Sequence, residues 1–238
     1  MNTTKHMDRE TVLPTGLPSL DEMLGGGLHA GSLNVIASRP AMGKKSFALQ
    51  IAGNLGAAGN HVMIFSLELQ KEYILQRFKK TFGNAPSWDT LCIDDDIFVD
   101  VGSILEKVSF LEQCDVVLID DLQSLAGDTN RRAIIDCIRT LKALARLASI
   151  PVIVTSHLPF ARIEQRKDHR PILSDLVIPA LYADVVIFPF REAYYYSDED
   201  SELNEKAELI VAGNRYGTTG VLPCHWNLEK RVFEELPK

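Results

Sequence analysis

Two patterns of apolar residues alternate along this chain. One is a run of five to seven mostly apolar residues bounded by polar ones, which is typical of a buried β-strand. The other repeats apolar residues every three or four positions, which is typical of a helix with one buried face. Runs of the first kind predict strands over 32–38, 61–66, 115–120 and 151–156. Segments of the second kind predict helices over 17–24, 44–58, 70–82, 101–113 and 130–149.

The order of these elements predicts an α/β fold. Strands and helices alternate up to residue 156 and the strands are almost wholly apolar, so we expect a central, mostly parallel sheet flanked by helices. The last third has short apolar runs without long helices between them. These runs predict antiparallel C-terminal strands of the same sheet, over 184–188, 207–212, 220–224 and 231–233. Polar residues predict a flexible tail over 1–12 and mobile loops over 162–171 and 197–202.

The composition fits one soluble domain and excludes several other classes. Of the 238 residues, 46% are apolar and 24% are charged, which provides for a sizeable core. The net charge of −7 does not indicate a dedicated nucleic-acid-binding protein, although it leaves room for a local basic groove. The N-terminus lacks the apolar core of a signal peptide, and no apolar run is long enough to cross a membrane. We therefore expect a cytoplasmic protein with no membrane partner.

The four cysteines do not have the spacing of a zinc site. Cys92, Cys114, Cys137 and Cys224 contain no pair separated by two residues. His225 follows Cys224 directly, but no second Cys/His pair completes a set of four ligands. Reduced and mostly buried thiols in a cytosolic protein are therefore expected.

The segment after the first long strand has the pattern of a phosphate-binding loop. The pattern G-x-x-x-x-G-K-[ST] lies between a strand and a helix, where backbone N–H groups cradle phosphates and the lysine neutralises them. Gly43 and Lys44 occupy the required positions, and Ser38 replaces the first glycine. Lys45 stands where a hydroxyl should help to hold Mg²⁺, and Ser46 points roughly 100° further round the helix. A plain turn with a surface lysine is the alternative. The candidate nucleotide-binding residues are Ser38, Arg39, Pro40, Ala41, Met42, Gly43, Lys44, Lys45 and Ser46.

Several further segments occur together in a fixed order. Ile-Phe-Ser-Leu-Glu-Leu lies over 64–69, and Val-Leu-Ile-Asp-Asp-Leu-Gln lies over 117–123. The other segments of this set are 14–21, 25–28, 37–44, 170–176, 183–187 and 215–220. Together they resemble the C-terminal RecA-like motor domain of DnaB-type replicative helicases, over about residues 14–235. The resemblance implies a RecA-like P-loop NTPase fold for residues 13–238.

The same resemblance implies ATP and Mg²⁺ as cofactors and suggests four catalytic residues. Glu68 would polarise the attacking water, and Asp120 would orient Mg²⁺ directly or through water. His157 takes the position of a glutamine that senses the γ-phosphate, and Arg215 that of a finger reaching the neighbouring subunit's nucleotide. From the residues alone, Glu68 could instead cap a helix, Asp120 and Asp121 could be solvated turn acids, and Arg215 could be a surface residue.

The chain departs from the family pattern close to the expected function. Lys45 replaces the hydroxyl that contacts magnesium, and Gly213 replaces a lysine near the γ-phosphate. Residues 176–183 form a short, mostly apolar segment where the family has a longer polar one that contacts single-stranded DNA. We therefore expect weakened binding of single-stranded DNA. We also hypothesise that Lys45 pairs with Asp120 in place of Mg²⁺.

As a function, the resemblance implies a homo-oligomer, such as a hexamer-like ring, that works with DNA replication proteins. Such a ring couples ATP hydrolysis to movement along single-stranded DNA. One alternative is an accessory or regulatory RecA-like protein that binds partner subunits without hydrolysing ATP, which Lys45 and Gly213 favour. Another is a RecA-like ATPase of the circadian-clock or DNA-repair kind. The start methionine and the absence of the family's N-terminal domain and linker helix lead us to expect a whole, reduced protein.

Overall fold

The computed structural model describes residues 12–83, 88–127, 130–195 and 205–237. Within these ranges, nine strands form one sheet and two very short strands form a separate pair. In chain order the strands are β1 (Val12–Leu13), β2 (Leu28–His29), β3 (Leu33–Ser38), β4 (Val62–Ser66), β5 (Leu91–Asp94), β6 (Val116–Asp120), β7 (Val152–His157), β8 (Val185–Phe190), β9 (Lys206–Asn214), β10 (Gly220–Asn227) and β11 (Val232–Glu235).

The large sheet has a parallel part and an antiparallel part. Its strand order is β11-β10-β9-β8-β3-β7-β6-β4-β5. The six strands from β8 to β5 are parallel to their neighbours. The pairs β8–β9, β9–β10 and β10–β11 are antiparallel. This arrangement confirms the predicted parallel centre with antiparallel C-terminal strands.

Helices connect the parallel strands. Three of them begin at residues whose side chains accept a hydrogen bond from the first turn, namely Asp100 before α4, Asp121 before α5 and Asn130 before α6. None of the described helices is both long enough and apolar enough to span a membrane. The helices are α1 (Pro18–Met23), α2 (Lys44–Ala57), α3 (Lys71–Phe82), α4 (Val101–Phe110), α5 (Leu122–Ala126), α6 (Arg131–Ala148) and α7 (Phe160–Glu164). Single 3₁₀ turns occur at Trp88–Thr90, Leu173–Asp175, Ala180–Tyr182 and Glu192–Tyr194.

The sheet separates two apolar layers, one on each face. Successive residues of a strand point to opposite faces, so Ile36 belongs to one layer and its neighbour Val35 to the other. The first layer contains Phe47 of α2 and the second contains Ile138 of α6. All six residues of β3 are buried, which explains why four of them are apolar, while the buried side chains of Asn34 and Ser38 each make a hydrogen bond.

The register of the parallel strands brings their carboxyl ends to one edge of the sheet. Ser38, the last residue of β3, is paired with His157 of β7. Ser66, the last residue of β4, is paired with Asp120 of β6. Loops that leave these four strands therefore start side by side, which is where open α/β sheets bind their ligands.

Some elements differ from the predictions. The short strand β5 and the five-residue helix α5 were not predicted, and α4 ends at Phe110 rather than 113 because Leu111 is extended. The segment 162–171, predicted as a mobile loop, begins inside α7. Arg170 of that segment is held by Glu208, with 2.6 Å between Nη2 and Oε1. Val12 of the predicted tail belongs to β1, while residues 1–11 and 197–202 lie outside the described residues.

Candidate nucleotide-binding site

The loop between β3 and α2 contains two residues with left-handed backbone. They are Ala41, with a φ of 65°, and Gly43, with a φ of 93°. A side chain at Gly43 would also approach Cζ of Phe233 to 2.9 Å. Directly afterwards α2 begins at Lys44, and no side chain caps its N-terminal N–H groups. This end of the helix is therefore able to receive an anion from the loop side.

Lys44 is buried at this helix start, with only 5% of its surface exposed. Its Nζ atom lies 3.7 Å from Oδ2 of Asp121 and has no hydrogen-bond acceptor among the residues that the structure describes. Burial lowers the pKa of Lys44 to about 8, although the charges of Asp121 and Asp120 oppose this shift. A buried amine without an acceptor, beside uncapped backbone N–H groups, fits the phosphate groups of a nucleotide.

Lys45 joins two carboxylates that come from neighbouring strands. Its ammonium group donates a hydrogen bond to Glu68, which follows β4, and lies 3.6 Å from Oδ2 of Asp120 at the end of β6. This geometry confirms the predicted contact between Lys45 and Asp120. The other oxygen of Asp120 accepts a hydrogen bond from Thr155. Because both carboxylate oxygens of Asp120 have partners, the residues present do not fit the role at Mg²⁺ that the resemblance implies.

Asp121 belongs to the site although it was not among the predicted residues. It is fully buried, and its Oδ2 atom lies 2.6 Å from Nε2 of His157. Its Oδ1 accepts a hydrogen bond from the N–H group of Ser124, which caps α5. The spacing of Asp121 and Ser124 is the signal that could have indicated a helix cap. The contact with Lys44 depends on the folded sheet and has no signal in the sequence.

The pKa values of the two adjacent aspartates, Asp120 and Asp121, are shifted in opposite directions. Burial raises the pKa of Asp120, although Lys45 and the hydrogen bond from Thr155 oppose it. Burial also acts to raise the pKa of Asp121, but the hydrogen bonds from His157 and the backbone and the charge of Lys44 hold it well below its usual range. Asp121 therefore carries its charge at neutral pH and balances that of Lys44.

Glu68, Asp121 and His157 each place one atom of a metal-binding type within 4.8 Å of the others. Two such atoms, Nε2 of His157 and Oε1 of Glu68, are 3.5 Å apart. Both carboxylates already face an ammonium group, since Lys45 contacts Glu68 and Lys44 lies beside Asp121. These two fixed positive charges oppose a cation at the same place, so we assign no metal ion to this group.

The Arg39 side chain points away from the helix start. Its guanidinium contacts Glu164, lies 2.9 Å from the Tyr195 hydroxyl and sits 4.0 Å from the ring centroid of Phe160. Because these contacts hold the Arg39 side chain, only the backbone of Arg39 is available to bind phosphates. Ser38 hydrogen-bonds the Arg39 carbonyl oxygen at 2.8 Å. Of the remaining candidates, Met42 is buried, Ser46 is half-buried in the first turn of α2, and Pro40 and Ala41 are exposed.

Arg215 does not meet the other predicted residues. It follows β9 and its Nε atom lies 3.3 Å from Oδ1 of Asp184, whose Oδ2 atom accepts a hydrogen bond from the N–H of Leu33. Leu33 is the first residue of β3, whereas the phosphate-binding loop follows the last. The two ends of this six-residue strand are roughly 17 Å apart. Gly213, paired with Val186 near the start of β8, lies at the same far edge.

Strand order, loop and buried lysine together define a RecA-like P-loop nucleotide-binding fold. The chain matches the family model of the DnaB-like helicase C terminal domain over residues 12–90 and 84–235. It belongs to this family. The predicted family is thereby confirmed, and the alternative of a clock-type or repair-type RecA-like ATPase is set aside.

Relatives of known identity show the same similarity. The chain is 32% identical to the replicative DNA helicase DnaB of Geobacillus stearothermophilus and 31% identical to the replicative DNA helicase DnaC of Bacillus subtilis (strain 168). Each alignment covers 96% of this chain and 57% of the relative, so the chain spans little more than half the length of these helicases.

Two solved structures superimpose on most of the chain. The ATPase domain of G40P matches with a TM-score of 0.84 at 29% identity, covering 96% of this chain and 92% of that one. A DnaB-like replicative helicase, whose structure was described together with its interactions with primase, matches with a TM-score of 0.83 at 28% identity. That match covers 97% of this chain and 63% of the helicase.

Proposed function

We propose that residues 13–238 bind ATP at the loop between β3 and α2 and act as the motor-type domain of a replicative helicase. The observation that carries this proposal is the Nζ atom of Lys44, which is buried at an uncapped helix start without a hydrogen-bond acceptor among the described residues. A buried ammonium group without a hydrogen bond lowers the stability of the unliganded protein, and a phosphate group supplies the missing acceptor. Lys44 then neutralises the β- and γ-phosphates.

The remaining site residues act on hydrolysis. Glu68 orients and activates the attacking water once Lys45 no longer holds its carboxylate. His157 lies 3.5 Å from Glu68 and hydrogen-bonds the γ-phosphate or the water. Asp120 anchors Lys45 rather than a metal ion. The charge neutralisation at the phosphates that Mg²⁺ would supply therefore falls to Lys44 and Lys45.

The position of Arg215 points to an assembly of several copies. Within one chain Arg215 lies at the opposite edge of the sheet from Lys44, so it cannot reach the nucleotide of its own subunit. Side-by-side subunits would bring this edge to the nucleotide of the neighbour, where an arginine stabilises the charge of the transition state. We propose a homo-oligomeric ring for this reason. A hexamer-like closed ring is the form expected from the resemblance.

The cellular role follows from the relatives. Two of them are named replicative DNA helicases, and one was described in a structure with primase. We propose that this chain acts in the cytoplasm in DNA replication, with single-stranded DNA and replication proteins as partners. The 176–183 segment contains buried Ile178 and exposed Leu181 and offers few polar groups for a DNA backbone, which supports weak DNA binding.

Binding of ATP tests the proposed site directly. Titration of a fluorescent ATP analogue in Mg²⁺ buffer should show saturable binding to the wild type and its loss in Lys44→Ala. Lys71→Ala is the matched control, because Lys71 is an exposed lysine in the first turn of α3. Equal binding by the wild type and Lys44→Ala, with both proteins folded, would exclude the proposed site.

Mixed oligomers test the subunit interface. Lys44→Ala and Arg215→Ala should each abolish turnover alone. A mixture of the two should regain part of it, because some interfaces then join an intact Lys44 to an intact Arg215. If the mixture stays inactive while light scattering shows that the two variants have assembled together, Arg215 does not act on the neighbouring subunit.

A second candidate function is supported by the contact between Lys45 and Glu68. An accessory or regulatory RecA-like protein would bind partner subunits and ATP without hydrolysing it, and an engaged Glu68 suits that role. It predicts ATP binding without turnover and no salt-dependent binding of single-stranded DNA. The motor function instead predicts turnover and a DNA affinity that falls steeply as salt rises.

A further inference from the structure

We infer that Lys45 is a built-in cation that replaces a divalent metal ion, so that this site binds a nucleoside triphosphate without Mg²⁺. This inference rests on the proposed function and deepens it, since it concerns the ligand form that the same site accepts. It is carried by the position of the Lys45 ammonium group, which contacts Glu68 and lies 3.6 Å from Asp120.

Lys45 reduces the net negative charge of the site. Three carboxylates, those of Glu68, Asp120 and Asp121, surround the loop from the ends of β4 and β6. Lys44 and Lys45 face them at ion-pair distance, so the five groups sum to one negative charge when all are ionised. A neutral hydroxyl at position 45 would leave two negative charges beside a triphosphate, which is an arrangement that needs a metal ion.

Lys45 already makes the contacts that a metal ion would need. Its ammonium group bridges the predicted water-activating carboxylate of Glu68 and the strand-end carboxylate of Asp120. Those strand ends are adjacent because Ser66 of β4 is paired with Asp120 of β6. The remaining oxygen of Asp120 accepts a hydrogen bond from Thr155, so both oxygens of this carboxylate already have a partner.

The charge of Lys45 also repels a divalent cation. A divalent cation between Asp120 and the phosphates would stand within a few ångströms of the Lys45 ammonium group, which is only 24% exposed and therefore weakly screened. Lys45 extends from the first turn of α2, the same turn whose N–H groups face the loop. An ammonium group fixed there contacts phosphate oxygens directly, as lysine does in many phosphate sites. The protein thus supplies its own counter-ion.

The test compares nucleotide affinity with and without divalent cations. A fluorescent ATP analogue is titrated into the full chain, once in excess EDTA and once in excess Mg²⁺. The wild type should give dissociation constants within about threefold of each other. Lys45→Thr, which restores the hydroxyl, should bind about tenfold or more weakly in EDTA than in Mg²⁺. Lys71→Thr removes an exposed lysine from the first turn of α3 and should behave as the wild type.

The outcomes separate this inference from the proposed function. If the wild type binds about tenfold or more weakly in EDTA, the inference is overturned and the nucleotide site stands. If the wild type binds in neither buffer, both are overturned. If Lys45→Thr is not folded by circular dichroism, Lys45→Gln replaces it. This variant keeps most of the length of the side chain but not the charge, and it should lose affinity in EDTA. Metal-independent binding by Lys45→Gln would contradict the role of the charge.

Discussion

The imidazole Nε2 atom of His157 lies 2.6 Å from the Oδ2 atom of Asp121. His157 ends β7 and Asp121 directly follows β6, so this contact joins the ends of two adjacent parallel strands. The same carboxylate lies 3.7 Å from the ammonium group of Lys44. Asp121 therefore connects Lys44 and His157 of the candidate nucleotide site. This arrangement makes Asp121 essential to the unliganded site.

Replacing Asp121 should destabilise the protein through Lys44. Asp121→Ala leaves the buried ammonium group of Lys44 without its opposite charge, and breaking such a buried pair costs about 3 kcal/mol. Lys44→Met removes the charge that is left unpaired. In that background the same Asp121→Ala change should cost less, by about 1–2 kcal/mol. Urea unfolding of the four proteins measures the difference, and an equal cost in both backgrounds would show that Asp121 acts through the α5 cap alone.

Triphosphate affinity should fall as the pH rises above about 8. Burial lowers the pKa of Lys44 to about 8, and a phosphate group binds the charged form. Below this value the amine is already charged, whereas above it a proton must be taken up on binding. The dissociation constant should then rise by up to about tenfold per pH unit. Titration of the fluorescent ATP analogue between pH 7 and 9.5 measures the slope.

Lys44→Arg is the control for this pH dependence. A guanidinium stays charged throughout the range, so any affinity that this variant retains should be independent of pH. A wild-type affinity that is flat from pH 7 to 9.5 would mean that Lys44 keeps its proton in the free protein. A slope shared by both proteins would place the titrating group elsewhere.

Gly43 should tolerate alanine much less well than Gly59 does. Both residues have a left-handed backbone, with φ of 93° and 89°, so an alanine at either costs about 1 kcal/mol of strain. At Gly43 the added methyl group also meets Phe233 at 2.9 Å, whereas at Gly59 no heavy atom lies within 4 Å. Overpacking should add about 1–3 kcal/mol at Gly43 alone. Thermal unfolding of Gly43→Ala and Gly59→Ala compares them, and equal losses would contradict the contact with Phe233.

The sequence predicted the parts of the fold that depend on local pattern. The strands β3, β4, β6 and β7 are short apolar runs, and each was predicted to within about one residue at either end. Gly43 and Lys44 could be identified because the phosphate-binding loop has a fixed spacing between a strand and a helix. β5 and α5 were missed because four or five residues are too few to show a period.

The contacts of the site depend on strand order, which local patterns do not encode. Glu68 and Lys45 are 23 residues apart in the chain, and they follow β4 and β3, which have β6 and β7 between them in the sheet. Asp121 looked like a turn residue because its partners, Lys44 and His157, come from two other strand ends. The predicted pair of Lys45 with Asp120 was correct because both residues lie at the carboxyl ends of parallel strands, β3 and β6, of the same sheet.

The thiols should differ sharply in reactivity. Cys92 is exposed, whereas burial raises the pKa of Cys114 to about 11 and those of Cys137 and Cys224 to about 12. Because the thiolate is the reactive form, the three raised thiols stay protonated and unreactive at pH 8. Ellman's reagent should therefore titrate one thiol rapidly and the others only after unfolding. Cys92→Ser should abolish the rapid phase, and a second rapid thiol in the wild type would contradict the burial of the other three.

Arg39 should stabilise the fold in a way that lysine cannot reproduce. Its buried guanidinium contacts Glu164, the Tyr195 hydroxyl and the face of the Phe160 ring, and only a planar cation can make all three contacts at once. Arg39→Lys should lower the free energy of unfolding by about 2 kcal/mol. Arg162 is an exposed residue of α7, the helix that contains Phe160 and Glu164. The free energy of unfolding of Arg162→Lys should stay within about 0.5 kcal/mol of that of the wild type.

The consequence of losing Arg39 should be local as well as global. Glu164 and Phe160 belong to α7, so Arg39 ties the phosphate-binding loop to the segment that continues to Arg170. Once this contact is lost, trypsin should cleave at Arg166 or Lys167 several times faster in Arg39→Lys than in Arg162→Lys, because local opening of that segment becomes more frequent. Mass spectrometry of the first fragments identifies the bond. Equal cleavage rates in the two variants would mean that the Arg166–Asp175 and Arg170–Glu208 pairs hold this segment without Arg39.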